Sequence, residues 1–156
     1  MMIPLTDETI LENLNLAMQS KIILLYIGII LFTLSVVCFI FFKLKHSSNS
    51  KIFYSVGMII FSLFLIMRYD TINYSLKNNS WYVETDTVVR TKATQQESNI
   101  TSYSIYLKNH GIFSGTKNDY HEFSNGDSVY LVIAKGRFGN TIPITIYSTQ
   151  KYIYNQ

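Results

Sequence analysis

"KLKHSSNSK", residues 43–51, is a short polar, basic run set between the two most apolar stretches of the chain, "IILLYIGIILFTLSVVCFIFF" (22–42) and "IFYSVGMIIFSLFLIM" (52–67). The first stretch carries no charge over roughly 20 residues, the length at which an α-helix crosses a hydrocarbon core. The second is thinner, about 24 Å at 1.5 Å per residue. Lys51, Arg68 and Tyr69 flank it, and such side chains extend a short span by reaching toward the headgroups. Burying both stretches inside a soluble protein would need a larger core than 156 residues supply. The polar run therefore reads as the turn of a two-helix transmembrane hairpin, which bounds everything else the chain can do.

Orientation follows from the lysines. Lys43, Lys45 and Lys51 are the candidate topology determinants, and the positive-inside rule places their turn in the cytoplasm with both flanks outside. Lys21, Arg68 and Lys77 stand at the opposite span ends, three against three, so the density of the loop cluster decides. The expected location is the cytoplasmic or inner membrane of a bacterium, with the C-terminal region extracytoplasmic. The leading "MMIPLTDETILENLNLAMQS" is acidic and the apolar run after it is too long for a cleaved signal. Cys38, the single cysteine, lies inside the first span and can form no intrachain disulfide.

Four segments result: an amphipathic tail (1–21), the hairpin (22–68), a linker (69–80) and a small β domain (81–156). In the tail Ile10, Leu11, Leu14 and Met18 share a helical face, with Thr6 as N-cap and Asp7 and Glu8 at the positive end of the dipole. It reads either as an interfacial, partner-binding helix or as a lead-in continuous with the first span. Gly28, Ser35, Ser55 and Gly57 could permit close helix contact, without a strict small-xxx-small repeat. No ionisable residue lies within either span, which argues against an ion path made by this chain alone.

From Trp81 onward the period changes to two. "SYSIYL" puts Tyr103, Ile105 and Leu107 on one face, and "TIPITIY" does the same with Ile142, Ile144 and Ile146. Trp81–Lys92 reads as a long first strand with Val83 and Val89 inward and Glu84, Asp86 and Arg90 outward. "SVYLVIA" (128–134) is nearly continuous and reads as an interior strand. Asn125-Gly126 predicts a type I′ hairpin between "YHEF" and "DSVYLVIA". "KNHG" (108–111) and "KGRFGN" (135–140) are further turns, and Pro143 places its strand at an edge or bulge. "TKATQQESNIT" (91–101) reads as a polar loop. With no helical pattern in this half, the expected fold class is membrane α+β: the hairpin followed by an all-β domain, an SH3- or OB-like barrel or a curled antiparallel sheet.

"YSIYLKNHGIFSG", "FSNGDSVYLVIAKG" and the closing "IYSTQKYIY" resemble strand-turn patterns in a broad group of uncharacterised small bacterial membrane proteins that carry a compact β domain beside their spans. The resemblance covers about half the chain, implies that architecture, and carries over no activity and no functional residue.

Enzyme signatures are sparse. "GIFSG" has its serine one place late for a nucleophile elbow, and "SNSK" fits Ser-x-x-Lys by letter but lies in the hairpin turn. His110 and His121, with Asp119 and Glu122 beside the second, lack the spacing of a zinc site. No metal, no cofactor and no catalytic residue is expected; an enzyme would need His110, Asp119 and His121 to converge in a cleft. From Trp81 onward seven Lys and Arg face six Asp and Glu, too little net charge for nucleic acid. The tyrosines are dense, and Tyr106, Tyr130 and Tyr147 lie out of phase with their strands' apolar faces. With Phe138, in a basic-aromatic tip with Lys135 and Arg137, they are the candidate partner-binding residues.

The expected function is a non-enzymatic, membrane-anchored binding module, an accessory subunit or immunity-type protein whose β domain engages a membrane-bound or extracytoplasmic protein, with homo- or hetero-oligomers possible. The alternative is a subunit of a transport or channel assembly in which the hairpin carries the function.

Overall fold

The computed structural model describes residues 2–45, 49–95 and 101–154. Helix α1 runs from Asp7 to Leu44 and α2 from Asn49 to Asn78, about 57 and 45 Å long. Thr6 caps α1 as its pattern predicts: its Oγ1 accepts from the Thr9 N–H at 3.3 Å. Most of the tail, from Asp7, and the first apolar run belong to this one helix. Residues expected as linker are also helical, as far as Asn78. Asn79 then takes φ +48°, and the Ser80 N–H donates back to the Ser75 carbonyl at 3.0 Å, a left-handed helix stop. Both helices are long and apolar enough to cross a membrane.

The chain forms two compact units. One, Leu14–Ser80 with Lys135–Ile142, contains most of both helices. Their facing positions are small: Gly28, Ser35, Ser55 and Ser62 are buried. A Cβ on Gly28 would meet Ile66 at 3.1 Å and the Ser62 carbonyl at 3.3 Å, whereas Gly57 faces open space. Gly28 and Ser35 are seven apart, as are Ser55 and Ser62, the repeat that keeps one seam facing a partner helix. Each serine returns its hydroxyl to its own helix backbone, Ser35 to Leu31 at 2.6 Å and Ser62 to Ile59 at 2.8 Å, so no polar group is stranded in the seam. Ile, Leu, Phe and Val side chains cover the exposed faces.

The second unit comprises Met1–Asn13, Trp81–Ala134 and Pro143–Gln156. Its strands are β1 (Ile3–Pro4), β2 (Trp81–Gln95), β3 (Thr101–Leu107), β4 (Gly111–Gly115), β5 (Ser128–Lys135), β6 (Thr141–Ser148) and β7 (Tyr152–Ile153), with a short helix α3 (Lys117–Glu122) before β5. Five form a curled antiparallel sheet, ordered β4-β3-β2-β5-β6. Pro143 thus falls on an edge strand, and β5 is interior. β1 and β7 pair in parallel, Ile3 with Tyr152 and Pro4 with Ile153.

Strand β2 explains the curl. Trp81–Thr87 pair with β5, and Val88–Gln95 pair with β3. The register slips between Val88 and Arg90, so Val89 is an extra residue. The expected phase is corrected: Asp86 and Val88, ahead of the bulge, lie on the inner face and Val89 is exposed. The core is Val88, Ile105, Leu107, Phe123, Val129, Leu131, Ile133 and Ile146, with Tyr82 and Phe113 packed against it.

Three further expectations are corrected. "YHEF" is no strand: Thr116 and Asp119 form a reciprocal capping box that starts α3. Asn125-Gly126 is no type I′ turn, because Gly126 has φ +94° and Asn125 has no positive φ. With Asp127 N–H donating to the Ser124 carbonyl at 3.2 Å, that turn fits type II. The polar loop at 91–101 is strand up to Gln95 and again from Thr101, its centre, 96–100, lying outside the described residues.

Candidate interaction surface and the Asp86 cluster

The bulge at Val89 puts one row of side chains on the outer face of the sheet. Arg90 is the register partner of Tyr106, and Tyr106 of Ile112. The Arg90 guanidinium lies 4.0 Å from the Tyr106 ring centroid, a close cation–π stack. Ile112, on edge strand β4, is 60 % exposed. In the next row Lys92 pairs with Ser104, and Ser104 with Ser114. A rigid tyrosine under an arginine, with an exposed isoleucine beside it, is the composition from which protein-binding hot spots are built.

Of the four candidate partner-binding residues, Tyr106 alone lies in this row. Tyr130, half-buried on β5, packs edge-on against Tyr154 with centroids 6.3 Å apart. Tyr147 is engaged internally: Asn13 Nδ2 donates to its hydroxyl at 2.5 Å and the Tyr152 ring lies 5.0 Å away. Burial pushes its phenol above the usual value. Phe138 belongs to the β5–β6 loop in the helical unit, 79 % exposed. Tyr106, Tyr130 and Tyr147 thus have different neighbours within the β unit, and Phe138 belongs to the other unit. Arg90 reads as outward from its alternation, but neither it nor Ile112 stands out as a surface residue from sequence, because the strand register that sets both beside Tyr106 is nonlocal.

Asp86 is 3 % exposed and holds the β3–β4 turn. Its carboxylate accepts from the backbone N–H groups of Thr87 (2.7 Å), Asn109 (3.2 Å) and His110 (3.1 Å), and from His110 Nδ1 at 2.7 Å. The other ring nitrogen, Nε2, lies 2.8 Å from Glu84 Oε2. A neutral imidazole has one N–H, so only the imidazolium donates to both carboxylates. Burial pushes the Asp86 carboxyl up, but the His110, Thr87 and Asn109 donors outweigh it and hold the group below the usual carboxylate range.

Chemically this cluster is a brace. Both nitrogens of His110 are occupied, and the two carboxylates sit at opposite ends of the ring, where they cannot share one metal ion. Asp119, named with His110 and His121 as a possible cleft, is spent on the capping box. His121 packs edge-on against Tyr120. Among the described residues no group of three or more His, Cys, Asp or Glu side chains could hold a metal ion.

Where α1 ends and α2 begins, each lysine named as a topology determinant lies over a phenylalanine ring: Lys43 over Phe39 at 5.9 Å, Lys45 over Phe41 at 5.7 Å and Lys51 over Phe42 at 5.9 Å. A groove of about 360 Å³ opens nearby between the helices, lined by Leu31, Ser35, Cys38, Lys51, Tyr54 and Met58 among others. No family model, curated protein or solved structure matches the chain.

Proposed function

We infer that the chain is a non-enzymatic, membrane-anchored binding module, an accessory subunit or immunity-type protein whose β unit engages another protein. The observation that carries the reading is the uncovered Arg90–Tyr106–Ile112 row, an amphipathic surface in a unit whose histidines and buried acid serve structure. The anchoring half is supported by apolar side chains exposed along α1 and α2, for which lipid is the matching solvent. The β1–β7 pairing supports a hairpin in particular. It holds residues 3–4 and 152–153 together, which requires an even number of crossings. With Lys43, Lys45 and Lys51 in the cytoplasm, the β unit lies outside, tethered where a membrane-bound partner is concentrated.

Two experiments test this. A single cysteine placed in the 135–140 loop of a Cys38→Ser chain should be labelled by an impermeant thiol reagent on intact cells, after outer-membrane permeabilisation where one exists. Protection until lysis reverses the orientation. A photo-crosslinking residue at Ile112 should give one discrete protein adduct that Arg90→Glu or Tyr106→Ala abolishes; an adduct indifferent to both removes the surface from the reading.

The interhelical groove favours the alternative, a subunit of a transport or channel assembly. Replacing the hairpin with an unrelated anchor separates the two: activity survives in a binding module and is lost in a transport subunit.

A further inference from the structure

The uncharged run of α2 ends at Met67, followed by Arg68 and Tyr69. Thr71 and Tyr74 stand about 6 and 10 Å further along the helix axis. The headgroup layer on each side of a bilayer is about 5–8 Å deep. The β5–β6 loop is fastened to α2 at these two levels. Asn140 Nδ2 donates to the Thr71 hydroxyl, and the Arg137 guanidinium lies 5.7 Å from the Tyr74 ring centroid. The Lys135 N–H donates to the Ser80 carbonyl at 2.9 Å.

The loop is braced from within as well. The Gly136 N–H donates to the Asn140 carbonyl at 2.8 Å and the Gly139 N–H to the Gly136 carbonyl at 3.1 Å, with Gly139 at φ +78°. Its tip is Phe138, the most exposed large apolar side chain among the described residues at 79 %. A braced loop that presents a bare phenylalanine to water is costly unless something apolar receives it. Lys135 and Arg137 flank it, both exposed, and no acid lies between Asp127 and Gln156. Arg68 and Lys77 add two cations on the adjoining stretch of α2 against one acid, Asp70.

We propose that the β5–β6 loop is a membrane-contact site: Lys135 and Arg137 bind phospholipid headgroup phosphates and Phe138 lodges among the uppermost acyl carbons. It rests on the reading that α2 crosses the bilayer. The contact is the pairing expected of interfacial anchors, a cation in the phosphate plane and an aromatic ring just beneath it. It gives the helical unit a second fastening to the same leaflet.

The test uses the full chain in vesicles of phosphatidylcholine with phosphatidylglycerol. Phe138→Trp is introduced into a Trp81→Phe chain, and separately into the parent, whose Trp81 emission is subtracted in case Trp81→Phe misfolds. Lipids brominated on carbons near the headgroup should quench the new tryptophan more than lipids brominated near the chain ends, as for an interfacial ring. Adding Lys135→Gln with Arg137→Gln should shift its emission to the red and cut the quenching. Phe61→Trp, at an exposed mid-helix position of α2, reports the span itself through lipids brominated near the chain ends. Quenching at 61 without quenching at 138 overturns the loop contact and leaves the span standing. Quenching at neither position overturns both. Quenching at 138 that ignores the loss of both cations overturns their assignment to phosphate.

Discussion

Along α1 and α2 the buried positions are Gly28, Ser35, Ser55 and Ser62, while Ile23, Ile30, Phe53 and Phe61 are exposed. In the curled sheet Val88, Ile105, Leu131 and Ile133 are buried, and Arg90, Lys92 and Ser114 are exposed. The two units apply opposite rules to one chain. Burial of apolar area drives the sheet together in water; between helices that cross a bilayer, as proposed for α1 and α2, it would supply nothing, and close backbone approach would take over. The sheet also affords itself a buried carboxylate, because it can surround Asp86 with donors; the helix seam admits only hydroxyls that satisfy themselves.

The largest break in this comparison is expected at Asp86. Asp86→Ala strands His110 and several backbone N–H groups and should cost about 3–5 kcal/mol, the penalty for breaking a buried pair. Denaturant unfolding of the protein in micelles, followed by near-UV dichroism, reads it. A cost no greater than that of His110→Gln would show that the carboxylate is not the hub.

Acid probes the same group without mutation. The folded Asp86 carboxyl is held below its ordinary value, so the stability it contributes is complete above that value, about 3.9. It is lost as pH falls from there toward the folded pKa, so this group's share of the melting temperature should begin to drop only below about pH 4. Asp86→Asn should flatten that limb; an unchanged limb would assign the acid sensitivity to other carboxyls.

In the helix pair, Gly28→Leu should cost about 1–3 kcal/mol by overpacking against Ile66 and Ser62. Gly57→Leu, which meets nothing within 4 Å, should cost none. Titration from mild detergent into dodecyl sulfate distinguishes them, and equal effects would place the seam elsewhere. The smallest effect is local. Thr116→Ala removes the N-cap of α3 and should cost about 1 kcal/mol, visible as faster hydrogen exchange at Tyr120 and Phe123 with the global melt nearly unchanged.

The sequence made the helices and most strands legible, because a run of 21 uncharged residues and a period of two are local signals. What escaped it was nonlocal. Nothing near Ile3 announces a strand partner at Tyr152. Asp86 reads as an outward residue because a carboxylate is buried only where donors surround it, and those donors come from Asn109 and His110, more than twenty residues away. The helix seam is half legible: Gly28, Ser35 and Ser55 stand out as small, but so does Gly57, which faces open space, and Ser62 does not, because its seven-residue interval is not the four-residue repeat of a close helix contact. At the candidate surface Tyr106 was found by its phase. Tyr147 shares that phase, yet it meets Asn13, a residue outside the segment assigned to the β domain.

Because β1 pairs with β7, residues 3–4 must wait for residues 152–153. When Ile3 leaves the ribosome both helices and the five-stranded sheet still lie between it and Tyr152, so this pairing closes only after all of them have been made. Until then Leu5 and Ile10, buried in the folded protein, have no place to go, and the loop to be closed is long. The two helices, neighbours in sequence, can pair earlier. The topology thus sets an order: local elements before the parallel β1–β7 pair, which acts as a clasp.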